Sequence, residues 1–307
     1  MSDVEERTGA KIIYYQKLYI RPRSPSDMRF IRYLHEGKRQ WGLKRGETIH
    51  VLEYLSSEEP SLTDFTNPSF RGRIQKLVNR NYVPTVSQDA VSVLPPVSTP
   101  SKIINVGLNY HDHAAEQNEE PPERPLLFSK PASAIIGHND PILHPPDINH
   151  LDYEIELAVV IGRTAKDISA NDVSEYIAGY TILNDVSARD AQFDDGQFFR
   201  GKGYDTFAPL GPVLGTTDLD MTDAEMKLTV NDELKQHSST ANLIFSVAEL
   251  VEFTSNIMTL KPGDVIGTGT PAGVGIFRDP PDLLEEGDRV EASIEGIGTL
   301  VNTVQNG

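Results

Sequence analysis

The chain has 307 residues, no cysteine and a net charge of −17, which excludes disulfides, thiolate metal sites and a thiol nucleophile. The charge is uneven: residues 1–80 hold 15 Lys and Arg against 10 Asp and Glu, and the remainder 13 against 35. The larger, acidic part would repel phosphate, which argues against a nucleic-acid partner.

Residues 1–27 read as an extension with one short apolar piece at 12–20. The first ten residues are polar, without the apolar core of a secretion signal. No later run is long enough to span a bilayer. The expectation is a cytoplasmic protein with no membrane partner. Residues 28–53 alternate apolar and polar around turns at Glu36-Gly37 and Arg45-Gly46, the pattern of a small β meander. A short helix is expected over 71–79. Residues 91–102, with Pro95, Pro96 and Pro100, read as an extended linker. This predicts a small N-terminal β domain with its extension over 1–95 and a larger domain over 100–307. In the larger part, strands are predicted at 102–107 and 126–130. Residues 109–116 read as a short helix or lid, and the other helical signals are few, over 172–178 and 246–258, so the class is a β-rich α+β fold.

The chemistry gathers around Asp152-Tyr153-Glu154-Ile155-Glu156-Leu157-Ala158-Val159-Val160-Ile161-Gly162. It reads as one buried strand ended by Gly162. Alternation puts Glu154 and Glu156 on one side. Two adjacent carboxylates at the mouth of an apolar strand need compensation, and a hard cation with oxygen ligands supplies it. Asp185, after a short apolar run at 180–183, offers a third carboxylate. A wet edge strand whose glutamates pair with Lys or Arg is the competing reading. His113 and Glu116, three apart, share a face of a short helix. A Glu that accepts from one imidazole nitrogen leaves the other free as a base. His111 is a rival base. Arg189 and Gln192 fit a polar wall beside the carboxylates, although Arg189 could instead simply pair with Asp190 or with one of those carboxylates. The loop 267–275 lacks Gly-Lys-Ser/Thr and is no P-loop. Its Gly269 and Thr270 suit the approach of a substrate carboxylate. His138, His144 and His150 read as loop residues.

Six motifs occur in one order: Val106-Gly107-Leu108-Asn109-Tyr110 leading to His113 and Glu116; Leu127-Phe128-Ser129-Lys130-Pro131; Tyr153-Glu154-Ile155-Glu156-Leu157; Asn184-Asp185-Val186-Ser187-Ala188-Arg189-Asp190; Gly201-Lys202-Gly203; and the 267–275 loop. Together they resemble the fumarylacetoacetate hydrolase family over roughly residues 100–304. The N-terminal β region is similar to that of its two-domain bacterial and archaeal members. The resemblance implies a mixed β-roll and a site holding Mg²⁺ or Mn²⁺ through Glu154, Glu156 and Asp185. It implies His113 on a substrate-ordered lid, oriented by Glu116, and Lys130 and Lys202 near the substrate's oxygens. The substrate implied is a small anionic oxo acid, and the assembly a homodimer. The expected reaction is C–C hydrolysis of a 2,4-dioxo acid. Oxaloacetate-type decarboxylation and hydroxymuconate-type isomerisation share the same chemistry. The non-enzymatic rival is an acidic β protein that binds Ca²⁺, which would need neither the His113–Glu116 pair nor the lysines.

Overall fold

The computed structural model describes residues 28–55 and 59–307, so the extension read over 1–27 lies outside the described residues. The predicted meander forms from the antiparallel strands Arg29–His35, Lys38–Arg45 and Thr48–Val51. Its first strand also pairs with Ala208–Gly215 of the larger part, so the meander continues the main sheet. The segment read as a linker contains the strand Ser92–Leu94, paired with Arg29–His35. Its prolines flank that pairing and cost it no ladder bonds.

Two helices cover the meander. Leu62–Thr66 starts in a Ser61/Asp64 capping box, and Pro68–Asn79 starts on the Asn67 cap with Pro68 in its first turn. The second helix therefore begins three residues before its predicted start, because Asn67 and Pro68 form an N-terminus that apolar spacing alone does not show. Between helices and strands sits Phe65, fully buried, with ring centroids 4.3 Å from Phe30 and 4.9 Å from Trp41. Phe65→Ala empties this centre and is expected to cost about 3–5 kcal/mol, read as a lower urea midpoint at unchanged slope.

The main sheet runs on from Ala208–Gly215 through Ile177–Asn184, Ile155–Ile161, Val265–Gly267 and Ile103–Gly107 to Leu126–Lys130. A second sheet orders Glu233–Ser239, Glu225–Val230, Arg289–Ile294, Gly298–Asn306 and Pro141–His144. Side chains of both sheets, such as Ile155, Leu157, Met226, Leu228 and Leu300, meet in one core. The outcome is the expected β-rich α+β fold with few helices. Among the described residues no helix is long and apolar enough to cross a membrane.

Three predicted elements differ in detail. The 172–178 helix is a 3-10 turn over Ala170–Glu175, and the strand begins already at Ile177. Ile177 and Ala178 are buried against the core, and burial outweighs a weak helical signal. His144 ends a strand rather than lying in a loop. The run 152–162 is not one strand: Leu151–Asp152 pairs with Ser187–Ala188, and Ile155–Ile161 pairs with Ile177–Asn184. The 246–258 helix forms as Val247–Ile257, with Ser246 and Met258 as its caps.

Candidate active site and metal centre

Ile155–Ile161 lies between Ile177–Asn184 and Val265–Gly267, buried on both faces. That removes the edge-strand reading: Glu154 is 6% exposed and Glu156 1%. The break at Tyr153-Glu154 has a local cause. The Asn184 side chain accepts from the Glu154 amide at 3.0 Å, and the Asp185 amide donates to the Glu154 carbonyl at 2.8 Å. These bonds draw Asp185 against the strand's mouth. One carboxylate oxygen from each of Glu154, Glu156 and Asp185 then lies within 4.8 Å of the others.

The acids are compensated unequally. Lys202 donates to Glu154 and Asp185, both at 2.8 Å, and Lys130 donates to Asp185 at 2.5 Å. Arg189 spans Asp152 at 2.9 Å and Glu154 at 2.7 Å, and donates to Gln192 at 2.9 Å. Burial alone would raise the Glu154 carboxyl; Lys202 and Arg189 outweigh it and hold it at about 2. Lys130 is enclosed completely, and desolvation pushes it down to about 8 despite Asp185. Burial also opposes charge on Lys202, but its two carboxylate partners hold it above the usual lysine range. Among the described residues no Lys or Arg forms an ion pair with Glu156. Burial, then the charges of Asp185 and Glu154, push it well above the carboxylate range; the nearby Lys202 charge and the Gly269 amide oppose this and are outweighed.

The chain makes room for Glu156 at Gly267, where a Cβ would fall 2.1 Å from Oε2 of Glu156 and 2.9 Å from Nδ2 of Asn105. Asn105 is fully buried; its Nδ2 donates to Glu156 at 3.3 Å, while its Oδ1 has no partner. Three buried carboxylates, one of them without an ion-pair partner among the described residues, suit a hard divalent cation, and the unpartnered Asn105 Oδ1 beside Glu156 could accept from a water that such a cation would carry. The donor set, without thiolate or imidazole, selects against zinc. The described residues thus fit the group.

A proton and a cation compete for Glu156. Its folded-state value lies above the unfolded one, so in metal-free protein its contribution to stability declines as pH rises between them. A cation held there would bind the ionised form, and the lower the pH the more often it would have to displace a proton first. The rise in melting temperature on adding Mg²⁺ or Mn²⁺ is therefore expected to be larger near about pH 8 than near about pH 5.5. Scanning calorimetry at both values checks it; equal increments would remove Glu156 from the ligand set.

Opposite the acids, the helix His111–Glu116 carries the candidate base. His113 is buried, and its Nδ1 lies 2.8 Å from Glu116 Oε2. Glu116 Oε1 accepts from the Gly273 amide at 2.8 Å, which docks the helix on the 267–275 loop. His111 is exposed at the helix start. His113, Glu154, Glu156, Arg189, Gln192, Lys202 and Thr270 all line one cleft of about 460 Å³. Leu126, Phe128, Phe198 and Phe277 add apolar surface to the same cleft. The Lys202 ammonium stands 5.2 Å from the Phe128 ring centroid. A larger cavity of about 740 Å³ near Tyr180 and Met221 lies apart from this chemistry. Lys130 is enclosed, committed to Asp185 and the Val186 carbonyl. Gly269 faces Glu156 through its amide, and Thr270 Oγ1 accepts from Gln236. His138, His144 and His150 do not converge; each bonds a different partner.

Several site residues escaped the sequence. Asp152 is fully buried and accepts from Arg189 and from the Gly275 and Ile276 amides, tying the glycine loop to the acidic strand. Its place in the Asp-x-Glu-x-Glu alternation was the available signal. Gln236 binds the Ile155 amide, Thr270 and the Pro271 carbonyl from a distant strand, and no local pattern points to it. Asn109 fastens Thr268 to Phe245.

Residues 102–305 match the family described as fumarylacetoacetate (FAA) hydrolase C-terminal. The chain is 46% identical over 296 residues to the mitochondrial oxaloacetate tautomerase FAHD2A of Bos taurus, covering 92% of this chain and 94% of the relative. Among solved structures, the fumarylacetoacetate hydrolase of the psychrophile Exiguobacterium antarcticum superposes with a TM-score of 0.80 at 37% identity, over 91% of this chain and all of its own. The 5-carboxymethyl-2-hydroxymuconate delta-isomerase of Mycobacterium smegmatis gives 0.74 at 40% identity, over 91% of this chain and 99% of its own. With the motifs in order, the fold shared along nearly the whole described chain and the acids gathered at one cleft, the chain belongs to the fumarylacetoacetate hydrolase family.

Proposed function

We propose that the protein is a divalent-cation-dependent enzyme that interconverts the keto and enol forms of a small 2-oxo dicarboxylic acid of the oxaloacetate type. The observation that carries this is the placement of the His113–Glu116 pair across one cleft from Glu154, Glu156 and Lys202. Bound Mg²⁺ or Mn²⁺ supplies Lewis acidity toward the 2-oxo acid's oxygens. The chain's residues do the rest. His113 takes the proton from the carbon next to the 2-oxo group, and Glu116 stabilises the imidazolium that results. Lys202 stands among the acids as a donor toward the developing oxyanion. Arg189 and Gln192 orient the anionic substrate, and the Phe128 and Phe198 rings limit water. The relatives named as oxaloacetate tautomerase and delta-isomerase support proton transfer over bond cleavage.

Cleavage of a 2,4-dioxo acid is the second reading. A base able to take a carbon-bound proton can also activate water, and the apolar surface would accept an acyl tail. Mixing enol oxaloacetate with enzyme and following loss of enol absorbance, beside a panel of acylpyruvates, separates the two. Full tautomerase activity in exhaustive chelator would end the cation-dependent reading.

A further inference from the structure

One contact in the cleft has no part in the chemistry above. Gln117 follows the helix His111–Glu116, and its Nε2 lies 2.7 Å from Nε2 of His113. That is the nitrogen on which the base must act, since Nδ1 is engaged with Glu116 at 2.8 Å. Gln117 is half-buried and lines the cleft.

Hydrogen-bond bookkeeping limits the arrangement. In a neutral ring, Glu116 accepts, so Nδ1 carries the hydrogen and Nε2 holds the lone pair. Only a donor can then face Nε2, and the Gln117 amide nitrogen is that donor. The reversed amide would need an imidazolium. The resting geometry therefore holds the ring as the tautomer a base requires, with its working lone pair already filled.

We propose that Gln117 is a positioning residue for the base, holding His113 in the reactive tautomer and yielding its place to the substrate. This rests on the proposed role of His113. In the substrate-free site the amide masks Nε2 and hinders its reaction with other electrophiles. On binding, the substrate's acidic C–H occupies the position that the amide leaves. Glu116, anchored a second time by the Gly273 amide at 2.8 Å, keeps the ring in place during the exchange.

Two variants test this in opposite directions. Gln117→Leu keeps the volume and removes the donor, so binding no longer breaks a hydrogen bond; KM is expected to fall about fivefold, with kcat moving less than KM. Gln117→Glu replaces the donor by an acceptor and requires the hydrogen on Nε2; kcat/KM is expected to fall by more than about tenfold. A merely structural role predicts that both variants lose activity together, and that result overturns the proposal. A readout without turnover accompanies them: diethyl pyrocarbonate acylates unmasked imidazole nitrogen, scored at the His113 peptide by mass spectrometry. The rate at His113 is expected to rise about fivefold in Gln117→Leu. An unchanged rate in folded protein shows that the amide does not cover Nε2 and ends the proposal. If the parent enzyme turned over no 2-oxo acid, the functional reading would fail while the acylation result still decided the contact.

Discussion

His113→Ala is expected to lower tautomerisation by about 10²–10⁴-fold, the usual worth of a positioned general base, while cation affinity stays within a few-fold of the parent. The two effects separate because His113 belongs to the helix His111–Glu116, and the carboxylates to the strand Ile155–Ile161 and the turns beside it. It faces the cluster across the cleft and is not among the three residues whose oxygens converge within 4.8 Å. Removing the ring also frees Glu116, which still holds the Gly273 amide, so the helix should remain docked and the melting temperature nearly unchanged. Calorimetric titration with Mn²⁺ beside kcat for enol oxaloacetate measures both. Turnover at the parent rate would show the base to be misassigned. Decarboxylation of oxaloacetate, which requires Lewis acidity but no proton abstraction from carbon, should survive this substitution better than tautomerisation does.

Glu156→Gln is expected to do the reverse. The substitution keeps the shape and removes the charge, so the cluster falls from three carboxylates to two. Cation affinity should drop by at least about 100-fold, and activity with it. The metal-free protein, by contrast, should melt no lower than the parent. Glu156 is completely buried, in no ion pair with Lys or Arg among the described residues and crowded by Asp185 and Glu154, so its ionised form is a burden on the metal-free fold near neutrality. An amide removes that burden. The diagnostic result is the loss of the Mn²⁺-induced rise in melting temperature, without loss of metal-free stability. A variant that still bound Mn²⁺ at parent affinity would take Glu156 out of the ligand set. Lower stability with function retained would mark Glu156 as a structural residue.

Much of the site could be read because its chemistry is concentrated in short strings. Glu154 and Glu156 stand two apart where an apolar strand begins, and His113 and Glu116 stand three apart on a short helix, so sequence neighbourhood brings each pair together. Asp185 was reachable because it ends the antiparallel partner of the same strand, pairing Ile155 with Asn184. The two lysines resisted the same reasoning. Nothing in Ser129-Lys130 or Gly201-Lys202 says that each ammonium is buried; they are 1% and 3% exposed because Asp185 and Glu154 meet them inside.

The sequence alone determined the β-rich class, the meander, the 246–258 helix, and the residue types able to hold a hard cation, because each depends on periodicity or composition over a few neighbours. Tertiary structure decided which of these carboxylates is buried beside two other acids and pushed above the usual carboxylate range. It also decided that Asp152 and Gln236 brace the site from 123 and 34 residues away in sequence, at Gly275 and Thr270. Those outcomes turn on burial and on contacts closed by strands distant in the chain. Desolvation and hydrogen bonding act over a few ångströms of space, and no local pattern encodes which distant groups will share it.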